Sequence, residues 1–241
     1  MKASHHDQRA ILEVQLLDDQ LAALAQREAT LPETAVLNAT VIKRNNVRDL
    51  RIAAETERTD VKRELARAEG DVEQIVTRIQ RDEARLNSGT GTPKELEQTQ
   101  HELLTLGSRR AELEEAELVI MVQVEGISAR IDELVAEEEK FTVEIADLEI
   151  KRENALTLII NERNVVTSER EKVVAPVAQE LKDLYAKLAA DNNGNGAALL
   201  VGNECKGCHL TINTTEVARI STLPAEEVVR CEQCRCILVR G

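Results

Sequence analysis

Apolar residues recur at spacings of three and four along most of the chain, which is the pattern of a coiled-coil seam. In the second half, one row repeats every seven residues: Leu106, Leu113, Ile120, Ile127, Leu134, Phe141 and Leu148. A second row lies three residues ahead of members of the first, at Leu103, Val124, Ile131 and Ile145. The first half shows the same alternation at Val61, Leu65, Ala68, Val72, Ile75, Ile79 and Leu86, and earlier at Val14, Leu17, Leu21, Leu24 and Leu31. A repeat of seven over this length predicts helices with a left-handed supercoil.

A polar segment with two glycines, residues 87–93, separates the two periodic tracts. Its glycines are expected to end the first helix. Thr92 suits the N-cap of the next helix, Pro93 its first position, and Glu95 completes a capping box. We therefore predict that the chain folds back here as an antiparallel helical hairpin, with residue i near residue 180 − i.

Two prolines and a flexible segment mark further boundaries. Pro32 predicts a break or kink in the first arm, and Pro176 predicts the end of the second. A short helix near 177–190 and the Asn- and Gly-rich stretch 191–196 follow. The predicted domains are a hairpin over 1–175, a helix with a flexible linker over 176–196, and a small domain over 197–241.

Two cysteine pairs carry the candidate chemistry of that small domain. Cys205 and Cys208 form one CxxC motif, Cys231 and Cys234 form another, and 22 residues lie between the pairs. Two such pairs can complete a tetrahedral shell of four thiolates, which suits one structural Zn²⁺. The sequence therefore predicts a C4 zinc ribbon with these four ligands.

Three other interpretations of the cysteine region stay open. Cys205 to His209 reads CKGCH, which also matches covalent attachment of a c-type haem. That chemistry needs export, whereas the N-terminus has no apolar signal segment. The two pairs could also be unrelated redox motifs. Cys236 is expected to point away from the knuckle as a small apolar filler or a free thiol, although it could replace Cys234 as a ligand.

Composition narrows the class of protein. The chain has 241 residues and 31% charged residues, but its only aromatic residues are Phe141 and Tyr185. Long helices packed side by side have this profile, whereas compact domains fill their cores with rings. No apolar run is long enough to span a membrane. Zinc-spaced cysteines without a signal peptide favour the reducing cytoplasm.

Charge supports the antiparallel pairing. Residues 43–67 contain eight basic and five acidic residues, and by the 180 − i rule they face 113–137, with one basic and seven acidic residues. Opposite charges across the seam favour this register, although ordinary solvated faces explain the counts equally well.

The chain resembles the bacterial coiled-coil proteins with a C-terminal C4-type zinc ribbon. The resemblance rests on the two cysteine motifs, on the turn at 87–93, and on the residues beside the cysteines, Val229, Arg230, Ile237 and Leu238. The resemblance covers essentially the whole chain. It implies one zinc ion and no catalysis, and some members are described as binding nucleic acid or partners in transcription, flagella or secretion. Those proteins usually have Gly-Arg after the last cysteine, where this chain has Arg235-Cys236.

No catalytic motif is recognisable, so we expect a binding protein and no small-molecule substrate. One hypothesis is a nucleic-acid-associated or transcription-linked protein, with a basic patch of Lys206, Arg219, Arg230 and Arg235. The net charge of −13 and the aromatic-free ribbon predict only weak, salt-sensitive binding of RNA or DNA. The alternative is a protein–protein adaptor or chaperone-like scaffold that binds its partner through the coiled coil. Exposed apolar positions such as Leu118, Val119 and Val122 could also allow self-association.

Overall fold

The computed structural model describes residues 1–241. Its elements, in chain order, are α1 (His5–Ala29), α2 (Pro32–Asn87), α3 (Pro93–Val174), α4 (Gln179–Asp191), β1 (Ala197–Val201), β2 (Glu204–Cys205), α5 (Thr214–Thr222), β3 (Val229–Arg230) and β4 (Ile237–Arg240). They form two compact units, Ala35–Glu149 and the combination of Met1–Thr34 with Ile150–Gly241. The predicted fold class, a long coiled-coil hairpin followed by a small domain with four clustered cysteines, is confirmed. The predicted domain bounds stay a prediction.

The helix ends follow from local sequence. The N–H of Thr92 donates to the Glu95 carboxylate at 2.7 Å, and the Thr92 hydroxyl accepts from the Glu95 N–H at 3.4 Å, so the predicted capping box begins α3. Pro32 occupies the first position of α2, where its missing N–H costs no helical hydrogen bond. The first arm is therefore broken between Ala29 and Pro32, as predicted.

In the unit Ala35–Glu149, α2 and α3 pack along the predicted seam. Ile131 and Ile145 are buried, and most other seam residues are half-buried, as expected where only two helices cover each other. Arg78 pairs with Glu102, as the 180 − i rule predicts. Arg51, however, binds Glu138 at 2.9 Å, nine residues beyond the predicted position 129.

The register therefore differs from the simple rule away from the turn. Glu57 and Arg130 approach to 4.0 Å, seven residues beyond the predicted position 123. Side-chain reach of about one turn, 3.6 residues, explains only part of these offsets. Registers one heptad apart present the same seam positions to each other, so the hydrophobic pattern alone does not choose between them.

In the other unit, a four-stranded sheet has the order β2-β1-β4-β3. β1 and β4 are parallel, with Ala197 opposite Ile237, whereas β1–β2 and β3–β4 are antiparallel. Ile237 and Val239 pack with α1 and α4, while Leu238 faces the cysteine side. The sheet therefore has two separate cores, one on each face.

The N-terminal residues also belong to this unit. Lys2 forms a β-bridge with Glu227, and the Ala3 N–H donates to the Glu226 carbonyl at 2.8 Å. This segment therefore pairs with the residues just before β3, which the sequence did not predict. No helix of the protein combines the length and apolar character needed to cross a membrane.

Candidate metal centre

The first cysteine pair lies in a tight loop that starts at the end of β2. The Cys205 N–H donates to the Leu210 carbonyl at 3.2 Å, and the His209 N–H donates to the Cys205 carbonyl at 2.8 Å. These bonds close the loop only because His209 adopts a left-handed backbone conformation, with φ of 58°. Cys205 and Cys208 thereby point to the same side.

The second pair, after β3, has the same construction. The Arg235 N–H donates to the Cys231 carbonyl at 2.9 Å, and the Cys231 N–H donates to the Cys236 carbonyl at 3.0 Å. Arg235, like His209, directly follows the second cysteine of its pair and has a φ of 62°. The turn that suits glycine is therefore formed here by an arginine.

The two loops bring four sulfur atoms together. The Sγ atoms of Cys205, Cys208, Cys231 and Cys234 all lie within 4.8 Å of one another. Cys205 and Cys234 are 3.9 Å apart, and so are Cys208 and Cys231. Four sulfurs at about 2.3 Å from a tetrahedral metal ion lie about 3.8 Å from one another. The cluster can therefore hold one metal ion with little adjustment.

Cys236 does not point away, which corrects the prediction from sequence. Its side chain is fully buried on the cysteine side of the sheet. Its Sγ lies 3.2 Å from that of Cys234 and 3.7 Å from that of Cys205. The second cysteine loop turns back toward the sheet, so that the fifth thiol lies beside the cluster.

Burial acts to raise the pKa of thiols at this site, whereas hydrogen bonds from backbone amides act to lower it. Burial raises the pKa of Cys208 to about 12, and it also raises the pKa of Cys231 and Cys236. Burial acts in the same sense on Cys234, but the N–H of Cys236 and nearby thiols outweigh it and lower that pKa. A metal ion must displace protons from the cluster, so its affinity should fall as the pH falls.

His209 does not join the sulfur cluster. Its imidazole is exposed, and its Nδ1 lies 3.5 Å from the Glu204 carboxylate. The ring therefore lies at the surface beside the loop, where it cannot complete the cluster.

The four predicted nucleic-acid contacts are spread over different elements. Lys206, in the first cysteine loop, binds Glu204 at 2.8 Å, and Arg219, on α5, binds Glu216 at 2.5 Å. Arg230 ends β3, and Arg235 lies in the second cysteine loop; both are exposed. Two of the four cations are thus already paired within the chain, and the patch stays a prediction.

Two buried glutamines of α1 hold this unit together, and sequence reasoning missed them. The Gln15 amide accepts from the Gly196 N–H at 2.7 Å and the Ala197 N–H at 3.1 Å, which positions the start of β1. The Gln8 amide donates to the carbonyls of Ala3 and Ala225. The two glutamines lie seven residues apart on the apolar face of α1, and this spacing was the sequence signal that they are buried.

Comparison with known proteins places the chain among relatives of the same architecture. A model of the CT398-like coiled coil hairpin domain matches residues 14–193. An uncharacterized protein of Mycobacterium tuberculosis (strain ATCC 25618 / H37Rv) is 33% identical over 244 residues, covering 100% of this chain and 98% of that protein.

Two solved structures share the fold. One from Mycobacterium smegmatis has a TM-score of 0.90 and 30% identity, covering 100% of both chains. CT398 from Chlamydia trachomatis has a TM-score of 0.72 and 18% identity, covering 98% of both chains. Since the domain model spans most of the sequence and the M. tuberculosis protein matches all of it, this chain belongs to the CT398-like coiled coil hairpin family.

Proposed function

We propose that this protein is a non-catalytic adaptor of the cytoplasm. Its hairpin docks a basic, amphipathic segment of a partner protein, and one structural Zn²⁺ stabilises the sheet-containing unit. The observation that carries the adaptor function is an exposed apolar strip on α3 that contains acidic residues and no basic ones.

This strip, the outer face of α3, comprises the residues between 111 and 139 at the three heptad positions opposite the seam. Its apolar and small members are Ala111, Leu118, Val119, Val122, Gly126, Ala129 and Ala136. Leu118 is 60% exposed, Val119 55% and Val122 67%. A two-helix coiled coil in water normally carries polar residues at these positions. Exposed apolar side chains clustered in this way mark an interaction surface.

The charges on the outer face select the partner's chemistry. They are Glu112, Glu115, Glu125, Asp132, Glu133 and Glu139, with no Lys or Arg among them. Only Glu112 is neutralised by an ion pair, with Arg109 at 2.8 Å. A helix with an apolar stripe bordered by Lys or Arg complements this face. A second copy of the face would bring acidic residues together, which disfavours self-association through it.

Zinc is the metal proposed for the cysteine cluster. Soft thiolates at tetrahedral spacing select Zn²⁺ among the common biological ions. Four protein ligands leave no open coordination position for substrate or water, which supports a structural role and the absence of metal catalysis.

A binding titration tests the adaptor function. The probe is a synthetic helical peptide with a leucine stripe bordered by lysines, compared with the same peptide carrying glutamates. We expect the full-length protein to bind the lysine peptide, and Val122→Asp to weaken binding at least about tenfold, or 1.4 kcal/mol. Because this variant adds a negative charge, the loss would have to come from the apolar contact.

Val143→Asp is the matched control. Val143 is also 67% exposed on α3 and lies at the same heptad position, three heptads after Val122 and past the acidic outer face, and the substitution adds the same charge. It should bind the peptide like the parent protein. Equal weakening by both variants, or equal binding of both peptides, would refute the proposed docking face. Tight binding of RNA or DNA that is lost when Lys206, Arg219, Arg230 and Arg235 are neutralised would instead favour the nucleic-acid function.

A further inference from the structure

Cys236 occupies a place that its sequence position does not explain. Backbone pairing at the start of β4 holds it: Arg230 lies opposite Ile237, and the Cys236 carbonyl accepts from the Cys231 N–H. Alternation along β4 directs Cys236 and Leu238 to the cysteine side of the sheet and Ile237 to the helical side. The fifth thiol is therefore held beside the cluster by the sheet itself.

One of its distances matches that of a ligand. The 3.7 Å between the Sγ atoms of Cys236 and Cys205 is close to the edge of a tetrahedral zinc–thiolate site, about 3.8 Å. The 3.2 Å between Cys236 and Cys234 is shorter than that edge. The two sulfurs therefore do not fit one ion together at these positions. Cys236 would become the fourth ligand only when Cys234 leaves the ion and the cluster moves toward the fifth thiol.

The first cysteine loop leaves room for this thiol. A Cβ at Gly207 would lie 2.9 Å from the Ala198 Cβ and 3.5 Å from the Cys236 Sγ. Only glycine lets the loop lie this close to β1, whereas the contact with the fifth sulfur is an ordinary van der Waals contact. Cys234 is also the more exposed of the two thiols, since it is half-buried and Cys236 is fully buried.

We propose that Cys236 is an exchange ligand. The metal ion is held by Cys205, Cys208 and Cys231, with either Cys234 or Cys236 as the fourth thiolate. The site thereby keeps four sulfur ligands when Cys234, on the solvent side, is lost or chemically modified. This inference rests on the metal site of the proposed function and adds a fifth residue to it.

Metal content of the full-length protein tests the exchange. After the same dialysis, the parent, Cys236→Ser and Cys234→Ser should each retain about one zinc per chain. Cys234→Ser/Cys236→Ser should retain none. Cys231→Ser should also retain none, because Cys234 and Cys236 lie too close together for both to bind one ion. Loss of zinc from Cys234→Ser alone would overturn the proposal.

Cobalt substitution gives a second readout that does not depend on retention. The thiolate-to-cobalt charge-transfer band grows with the number of sulfur ligands, so Cys234→Ser should match the parent protein per bound ion. A weaker, three-thiolate band in Cys234→Ser would refute the exchange even if the ion stayed bound. A parent protein that binds neither metal would refute the metal site itself, which separates the two failures.

Discussion

At the scale of single residues, the cysteine loops show how local backbone geometry brings the four thiols of the candidate metal centre together. His209 and Arg235 both take a left-handed conformation directly after a CxxC motif. This conformation costs a non-glycine residue about 1–2 kcal/mol. The equivalence of the two loops indicates that the turn is required to aim the sulfurs, so the strain is tolerated at both positions.

We expect Arg235→Gly to stabilise the second loop by about 1 kcal/mol, because glycine adopts this conformation without strain. Hydrogen exchange of the Ile237 amide, which donates to the Gly196 carbonyl at 2.9 Å, should slow accordingly. Glu232→Gly is the control: it lies in the same loop without a positive φ and should speed exchange. Faster exchange in Arg235→Gly would show that the arginine side chain contributes more than the turn costs.

Tyr185, the only tyrosine, links α4 to α1 and α3 through the carboxylate of Asp18. Its hydroxyl donates to Asp18 at 2.7 Å, and Arg170 binds the same carboxylate. Burial, and secondly the bond to Asp18, raise the pKa of Tyr185 well above its ordinary value near 10. The folded state therefore holds the proton more tightly than the unfolded state does. Its stabilising contribution is complete below about pH 10 and decreases as the pH rises beyond it.

This predicts that tyrosinate absorbance appears in alkaline titration only when the unit unfolds, not near pH 10. A single tyrosine makes the signal specific. Tyr185→Phe should lower the free energy of unfolding at neutral pH by about 1 kcal/mol, for one lost hydrogen bond. It should also remove the tyrosine's part of the alkaline destabilisation. A reversible tyrosinate signal near pH 10 in the folded protein would contradict the buried hydrogen bond.

At the scale of elements, the two faces of the sheet pack against different partners. Its helical side is packed by Ile237 and Val239 against residues of α1 and α4, including Ile11 and Leu181. Its other side packs Leu238 with the cysteines and the short helix α5. The core on the cysteine side is smaller and includes the cysteines themselves, whereas the core on the helical side contains none. We therefore expect the order of the cysteine side to depend on the proposed metal ion.

Removal of the metal should therefore loosen only one face. We expect a chelator to expose the amides of Cys205 and Arg235 to hydrogen exchange, while the helical circular dichroism and the exchange of the Val239 amide stay nearly unchanged. Returning zinc should restore protection, which controls for irreversible oxidation of the thiols. A chelator that abolished the helical signal would show that the two faces do not fold separately.

At the scale of the whole molecule, the arms of the hairpin are long and their seam repeats, so register is the property that needs a direct test. Arg51→Cys/Glu138→Cys, in a background without native cysteines, should cross-link within one chain at high dilution. The pair 51 and 129, opposite by the simple rule, should cross-link much less. The reverse order of efficiencies would restore the 180 − i register, and cross-links only between chains would replace the hairpin by a dimer.

The sequence by itself determined the elements that depend on local physics. Seven-residue periodicity specified the seam, Thr92 and Glu95 specified where α3 begins, and CxxC spacing specified which thiols could share an ion. These features act over one or two helical turns or a single loop, so neighbouring residues suffice to encode them.

Only the tertiary structure decided the features that join distant residues. A shift of one arm by a whole heptad leaves the same seam positions facing each other, so the sequence pattern does not determine the register. The contact of Arg51 with Glu138 in the structure does. The direction of the Cys236 side chain depends on how β4 pairs with β1 and β3. The role of Gln15 depends on its hydrogen bond to a strand that begins at residue 197. Strand pairing and buried hydrogen bonds across this separation arise from packing, and no short window of sequence contains both partners.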